Sequence, residues 1–217
     1  MRNLPALLAA GFLCAAPLPA QAHPHVFAEA SLEVVVGAGG KVNSLGHVWR
    51  FDDLFSSTVL FEFDKNKDMK LDDSELRSVA ETVHESLAEF GYFQFVTHDG
   101  KDVKMRAPAQ LVATFDDNVL TIMFESKPEQ ELRLDGKVDF GVYDPTFYTA
   151  IDFSDDNLMM VQGLPASCTR AVIRPDPDEA IAQNQQTLTE AFFNDPMGND
   201  MSKIFATRLE INCGGQG

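Results

Sequence analysis

The chain has 217 residues, 33 acidic and 17 basic, and carries a formal net charge of −16 at pH 7. Phosphate contacts need clustered Lys and Arg, and the sequence shows no basic patch, so non-specific nucleic-acid binding is excluded. A cation is the better-matched partner, although acidity also serves simply to keep an exported chain in solution.

The N-terminus reads as an export signal. Arg2 gives a minimal positive start, and Leu4 to Ala16 form an apolar stretch below the ~20 residues of a membrane span. Ala20-Gln21-Ala22 matches a small-x-small cleavage site, which makes 1–22 the signal and His23 the first mature residue. The alternative is a short membrane anchor. Lipidation at Cys14 is disfavoured by the preceding Gly11-Phe12-Leu13. Removing 22 of the 217 residues leaves 195, expected to form one soluble periplasmic domain over 23–217. The mature chain holds two cysteines, Cys168 and Cys213, which are expected to pair in an oxidising compartment. Free thiols holding a metal are the alternative.

Val26 to Val36 and Val42 to Phe51 read as strands joined by Gly37-Ala38-Gly39-Gly40. With Val36 opposite Lys41, one face carries Val26, Ala28, Ala30, Leu32, Val34, Leu45, His47, Trp49 and Phe51. The other carries His25, Glu29, Ser31, Glu33, Ser44, Arg50 and Asp52. A one-residue slip would mix the two sets, so the apolar set fixes the parity. His47 therefore belongs to the core face, and His25 to the polar face near Asp52.

Asp52 to Phe63 and Asp73 to Phe90 read as helices about a charged loop, an EF-hand-like helix-loop-helix over about 52–90. Strands follow at Phe93 to Val96 and Val103 to Met105 around Asp99-Gly100, then at Leu111 to Phe115 and Val119 to Phe124. Further strands are expected at Val138 to Tyr143, Phe147 to Phe153, Leu158 to Val161 and Thr169 to Ile173. A C-terminal helix starts with Asp176 as N-cap and Pro177 at its first position, and an alternating strand from Phe205 to Ile211 closes the chain. The predicted fold class is α+β with a mainly antiparallel sheet.

Asp64 to Glu75 matches a 12-residue EF-hand calcium loop, with side-chain oxygens from Asp64, Asn66, Asp68, Asp72 and Glu75 and the backbone carbonyl of Lys70. Calcium takes six to eight oxygens, and a bidentate Glu75 would close the sphere. Met69 stands at position 6, where Gly normally supplies a positive φ, at a cost of roughly 1–2 kcal/mol. Lys65, Lys67 and Lys70 dilute the negative field. The expected affinity is therefore weak, and a loop that keeps its shape without metal is the alternative.

His23-Pro24-His25 forms a second candidate site. A free α-amine and imidazole on His23 chelate Cu, Ni, Co or Zn, with His25 adding a nitrogen and Asp52 an oxygen. Pro24 lacks an amide proton, which excludes a square-planar site built on deprotonated amides. His47 reads first as a core histidine, and His84 and His98 as surface positions. No nucleophile-base pair, phosphate loop or paired carboxylates stand out, so no enzymatic activity is expected.

His23-Pro24-His25, His47-Val48-Trp49-Arg50-Phe51-Asp52, the acidic loop, Glu85 to Phe93, Tyr143 to Tyr148 and Cys168 together resemble the bacterial periplasmic family catalogued as domain of unknown function 1007. The resemblance implies an exported accessory protein linked to ABC-type transport of nickel, cobalt or zinc. It also keeps His47 among the candidate metal ligands, through the family's His-x-Trp-x-Phe-Asp pattern. The expected function is a periplasmic metal-binding accessory to an inner-membrane transporter. The alternatives are a copper oxidoreductase with an N-terminal histidine brace, and a calcium-braced interaction module.

Overall fold

Strict alternation of apolar and polar residues draws Val26–Val36 (β1) and Val42–Phe51 (β2) into an antiparallel hairpin. The computed structural model describes residues 24–194 and 202–214, with backbone alone over 186–194 and at 202. The expected signal segment and His23 lie outside them. Asp53–Phe63 (α1) and Asp73–Ala88 (α2) follow the hairpin. The strands Gln94–His98 (β3), Lys101–Asp102 (β4), Met105–Arg106 (β5), Leu111–Asp116 (β6) and Val119–Pro128 (β7) come next. Gly136–Val142 (β8), Thr149–Asp152 (β9), Met159–Gln162 (β10) and Cys168–Ile173 (β11) lead to Pro177–Asn194 (α3) and Arg208–Cys213 (β12).

The strands form two sheets. The first runs β10-β1-β2-β7-β5, with β6 also on β7 and β9 also on β1, and the second runs β11-β12-β8-β3-β4. Parallel pairing among the described residues involves β1, against β9 and β10. The fold is thus α+β, with two mostly antiparallel sheets and three described α-helices. One apolar cluster joins Leu32, Leu45, Trp49 and Ile122 of the first sheet to Phe140, Leu209 and Ile211 of the second. Each such side chain contributes about 1.5–3 kcal/mol on burial.

The hairpin keeps its predicted faces but not its predicted register. Val36 lies opposite Val42, one residue along from the simple pairing, and past a bulge at Val35/Val36 the strands run two residues along, with Val34 opposite Leu45. A shift of two preserves parity, so His47 stays on the core face. Three other expectations are corrected. Val103 to Met105 is not one strand, because β4 and β5 pair into different sheets. Phe147 lies outside β9 at φ 58, where Asp144 accepts from the amides of Thr146 and Thr149 and holds a turn. The closing strand starts at Arg208, after a single 3-10 turn over Ser202–Phe205.

Cys168 and Cys213 face each other across β11 and β12 and are disulfide-bonded, closing 45 residues of chain. The bridge fastens two neighbouring strands of the second sheet. No described helix is long and apolar enough to cross a membrane.

Candidate metal sites

The acidic loop is organised by its own carboxylates. Asp64 Oδ1 accepts from the Lys67 amide at 2.7 Å and the Asp68 amide at 3.2 Å, and Oδ2 accepts from the Met69 amide at 2.9 Å. Asn66 Oδ1 accepts from the Asp68 amide at 2.8 Å, and Asp68 Oδ1 from the Lys70 amide at 3.0 Å. Lys67 and Met69 take φ values of 62 and 64, so the turn adopts the left-handed backbone with no glycine.

The loop's far end is a helix start. Asp72 Oδ1 accepts from the amides of Ser74 and Glu75, and Glu75 completes the capping box by accepting from the Asp72 amide. The Ser74 hydroxyl, followed by the amides of Glu75 and Ser74, holds the Asp72 carboxyl below its ordinary range. Leu71 packs against the core. Glu75 is buried, and its Oε1 also accepts from the Lys65 amide.

These oxygens match calcium in kind, being hard donors from carboxylates and one amide. Asp64 Oδ1 and Asp72 Oδ1 already take two or more donors, whereas Asp64 Oδ2, Asn66 Oδ1, Asp68 Oδ1 and the two Glu75 oxygens each accept from one backbone amide and keep capacity for a second partner. Among the described residues, no group of three or more His, Cys, Asp or Glu side chains is gathered to hold a metal ion. A cation would have to draw the loop's side chains inward.

The transition-metal candidates differ in burial. His25 is exposed at the start of β1, its ring 5.0 Å from that of Tyr148, and its amide donates to the Tyr148 carbonyl. Asp52 caps α1, with Oδ1 accepting from the Phe55 amide and Oδ2 from the Phe27 amide. His47 points to the opposite face of the sheet and is 1 % exposed. Its ring stacks on Phe124 at 4.4 Å, and its Nε2 lies 3.5 Å from Ser126 Oγ, which donates to Gln94 Oε1. Nδ1 of His47 and Nε1 of Trp49 are buried without a hydrogen-bond partner among the described residues. Burial pushes the His47 pKa down to about 3, with Gln94 acting in the opposite direction.

Other histidines are less exposed than expected. His84 and His98 are partly buried; the His84 Nε2 bonds the Pro108 carbonyl, and His98 pairs with Asp135 at 2.7 Å. Sequence reading also missed a groove of about 450 Å³ on the outer face of the first sheet. There Gly46 sits between Glu33 and Glu125 in one cross-strand row. Its only advance sign was a glycine inside an otherwise regular strand.

A family profile described as a protein of unknown function, DUF1007, matches residues 8–213. An uncharacterized protein of Haemophilus influenzae (strain ATCC 51907 / DSM 11121 / KW20 / Rd) is 20 % identical over 196 residues, covering 88 % of this chain and 91 % of the relative.

Proposed function

The chain belongs to the DUF1007 family, and from its own residues we propose that it is a periplasmic metal-binding accessory protein. Its EF-hand-like loop binds Ca²⁺ weakly, as a brace on the fold. Asp64, Asn66, Asp68, Asp72, Glu75 and the Lys70 carbonyl would supply the oxygens. His23 and His25 present a separate transition-metal acceptor at the mature N-terminus, for nickel, cobalt, zinc or copper bound toward an inner-membrane transporter.

The observation that carries this reading is the turn at Met69. Its amide donates to Asp64 Oδ2 at 2.9 Å with φ at 64, which is the backbone that position 6 of a calcium loop requires. The Cys168–Cys213 bridge supports an oxidising compartment. A histidine brace on the terminal His23 would need a second histidine facing it, and the buried, core-facing position of His47 gives that alternative no support.

Purified from a periplasm, the protein should begin His-Pro-His on Edman sequencing. Calorimetric titration should show a single Ca²⁺ site of about 10⁻⁴–10⁻³ M and a Ni²⁺ or Cu²⁺ site weakened by His25→Ala. A different first residue removes the α-amine ligand and the terminal site with it. Absence of heat with any of these ions discards the metal-binding reading.

A further inference from the structure

The groove of about 450 Å³ on the outer face of the first sheet takes its shape from the strand register. Ser31, Val48 and Met123 pair across β1, β2 and β7, and Val112 of β6 pairs with Met123 to extend the row. The neighbouring row runs Met160, Glu33, Gly46 and Glu125 across β10, β1, β2 and β7. Val48, Val112 and Met160 are exposed, so the apolar floor is open to solvent.

The backbone gives no reason for a glycine at position 46. Its φ is not positive, and a Cβ built there would come no closer than 3.9 Å to a neighbour, the Glu33 Cβ. A glycine inside a strand weakens it, through chain entropy and lost packing. What the missing side chain supplies is depth between Glu33 and Glu125. Adjacent strands lie about 4.7–4.9 Å apart, so the backbones carrying the two glutamates stand roughly 10 Å apart with the gap over Gly46 between them.

That gap is negatively charged. The Glu33 side chain enters no ion pair or hydrogen bond among the described residues. Glu125 is ion-paired with Lys127 at 2.8 Å, and a hydrogen bond from that ammonium holds its carboxyl below the ordinary range. Two carboxylates and one ammonium leave a charge of −1, which one monovalent cation neutralises. None of the residues lining the groove is Lys or Arg.

We propose that the groove over Gly46 binds a small organic monocation, an ammonium or guanidinium carried on an apolar body. The cationic head sits between Glu33 and Glu125, and the body lies on Val48, Met123 and Val112. The volume falls in the range of small-ligand sites, about 300–1,000 Å³. The carboxylates disfavour an anionic ligand, and the apolar floor disfavours a bare hydrated metal ion.

The test is calorimetric titration of the full mature chain with 4-phenylbutylamine, uncharged 4-phenylbutanol and anionic 4-phenylbutyrate. Methyl-¹³C methionine NMR reports where the probe sits. The amine should bind at about 1 mM or tighter and shift the Met123 and Met160 methyls, with the alcohol and acid about tenfold weaker or more. Glu33→Gln should weaken the amine about tenfold, whereas Lys127→Gln should strengthen it about twofold. Gly46→Ala should raise the melting temperature while weakening the amine, and Gly46→Val should abolish binding by filling the gap. Circular dichroism confirms folding, and if Gly46→Val fails to fold, Gly46→Ala and Glu33→Gln decide. No binding at about 10 mM, an alcohol that binds like the amine, or heat without shifts at Met123 and Met160 overturns the proposal. A Glu33→Gln chain that binds like wild type, or a Gly46→Ala chain that melts lower, overturns it as well. Sedimentation velocity tests a different occupant: a dimer that Gly46→Val dissociates gives the groove to a second copy and overturns the small-ligand assignment.

Discussion

The Glu75 carboxylate accepts a hydrogen bond from the Lys65 amide at 2.8 Å, across ten residues of chain. Its second oxygen takes the Asp72 amide at 2.9 Å, so one buried side chain ties the entry of the acidic loop to the first turn of α2. Because Leu71 packs into the core, an ion bound in this loop acts on the stability of the whole domain.

Met69 sets the first prediction. Its φ of 64 is held by a hydrogen bond to Asp64 that needs no metal, so the strain belongs to folding. Left-handed backbone costs a side-chain-bearing residue roughly 1–2 kcal/mol. Glycine relieves that cost but adds about 0.5–1 kcal/mol of chain entropy. Met69→Gly should therefore raise unfolding free energy by up to about 1 kcal/mol in chelator, read by urea denaturation.

His47 predicts an acid-sensitive fold. Its pKa is about 3 when folded against 6.5 for the ordinary side chain, so the unfolded chain binds the extra proton. The stabilisation is complete above pH 6.5 and is lost progressively as pH falls from there toward 3. The whole window corresponds to roughly 5 kcal/mol. His47→Leu should flatten that part of the stability curve. Equal slopes for wild type and variant between about pH 7 and pH 4 would refute the assignment.

The Cys168–Cys213 bridge should leave no reactive thiol in denatured, unreduced protein. Closing 45 residues, it is worth about 4 kcal/mol in the chain-entropy treatment. Reduction should lower the denaturation midpoint accordingly. Two thiols in the unreduced sample would contradict the bridge.

Much of the fold was legible because parity is robust. Apolar alternation set the faces of β1 and β2, and a register two residues along from the simple pairing, reached through the bulge at Val35/Val36, did not exchange them. The start of α3 was readable from its cap, Asp176, whose Oδ1 accepts from the Glu179 amide, whereas the Asp72–Glu75 capping box of α2 was hidden within the calcium-loop spacing. The parallel docking of β9 and β10 on β1 was not readable, since nothing local records which distant strand covers an edge. Of the candidate sites, the Asp64–Glu75 set forms one hydrogen-bonded loop. Asp52, expected as an oxygen donor beside His25, also serves as the N-cap of α1 and takes the Phe27 amide, a role that the Asp-before-helix pattern carried in the sequence. The groove over Gly46 depends on cross-strand neighbours and left only a weak local trace.

The calcium brace is tested most directly by thermal melting in a calcium titration of wild type, Met69→Gly and Glu75→Gln. Calcium at tenfold above its dissociation constant should stabilise wild type by about 1.4 kcal/mol. Met69→Gly should start from a higher melting temperature and show a similar increment, whereas Glu75→Gln should show none. If wild type and Met69→Gly both melt unchanged at about 10 mM calcium, above the range of weak extracellular modules, the loop does not bind calcium.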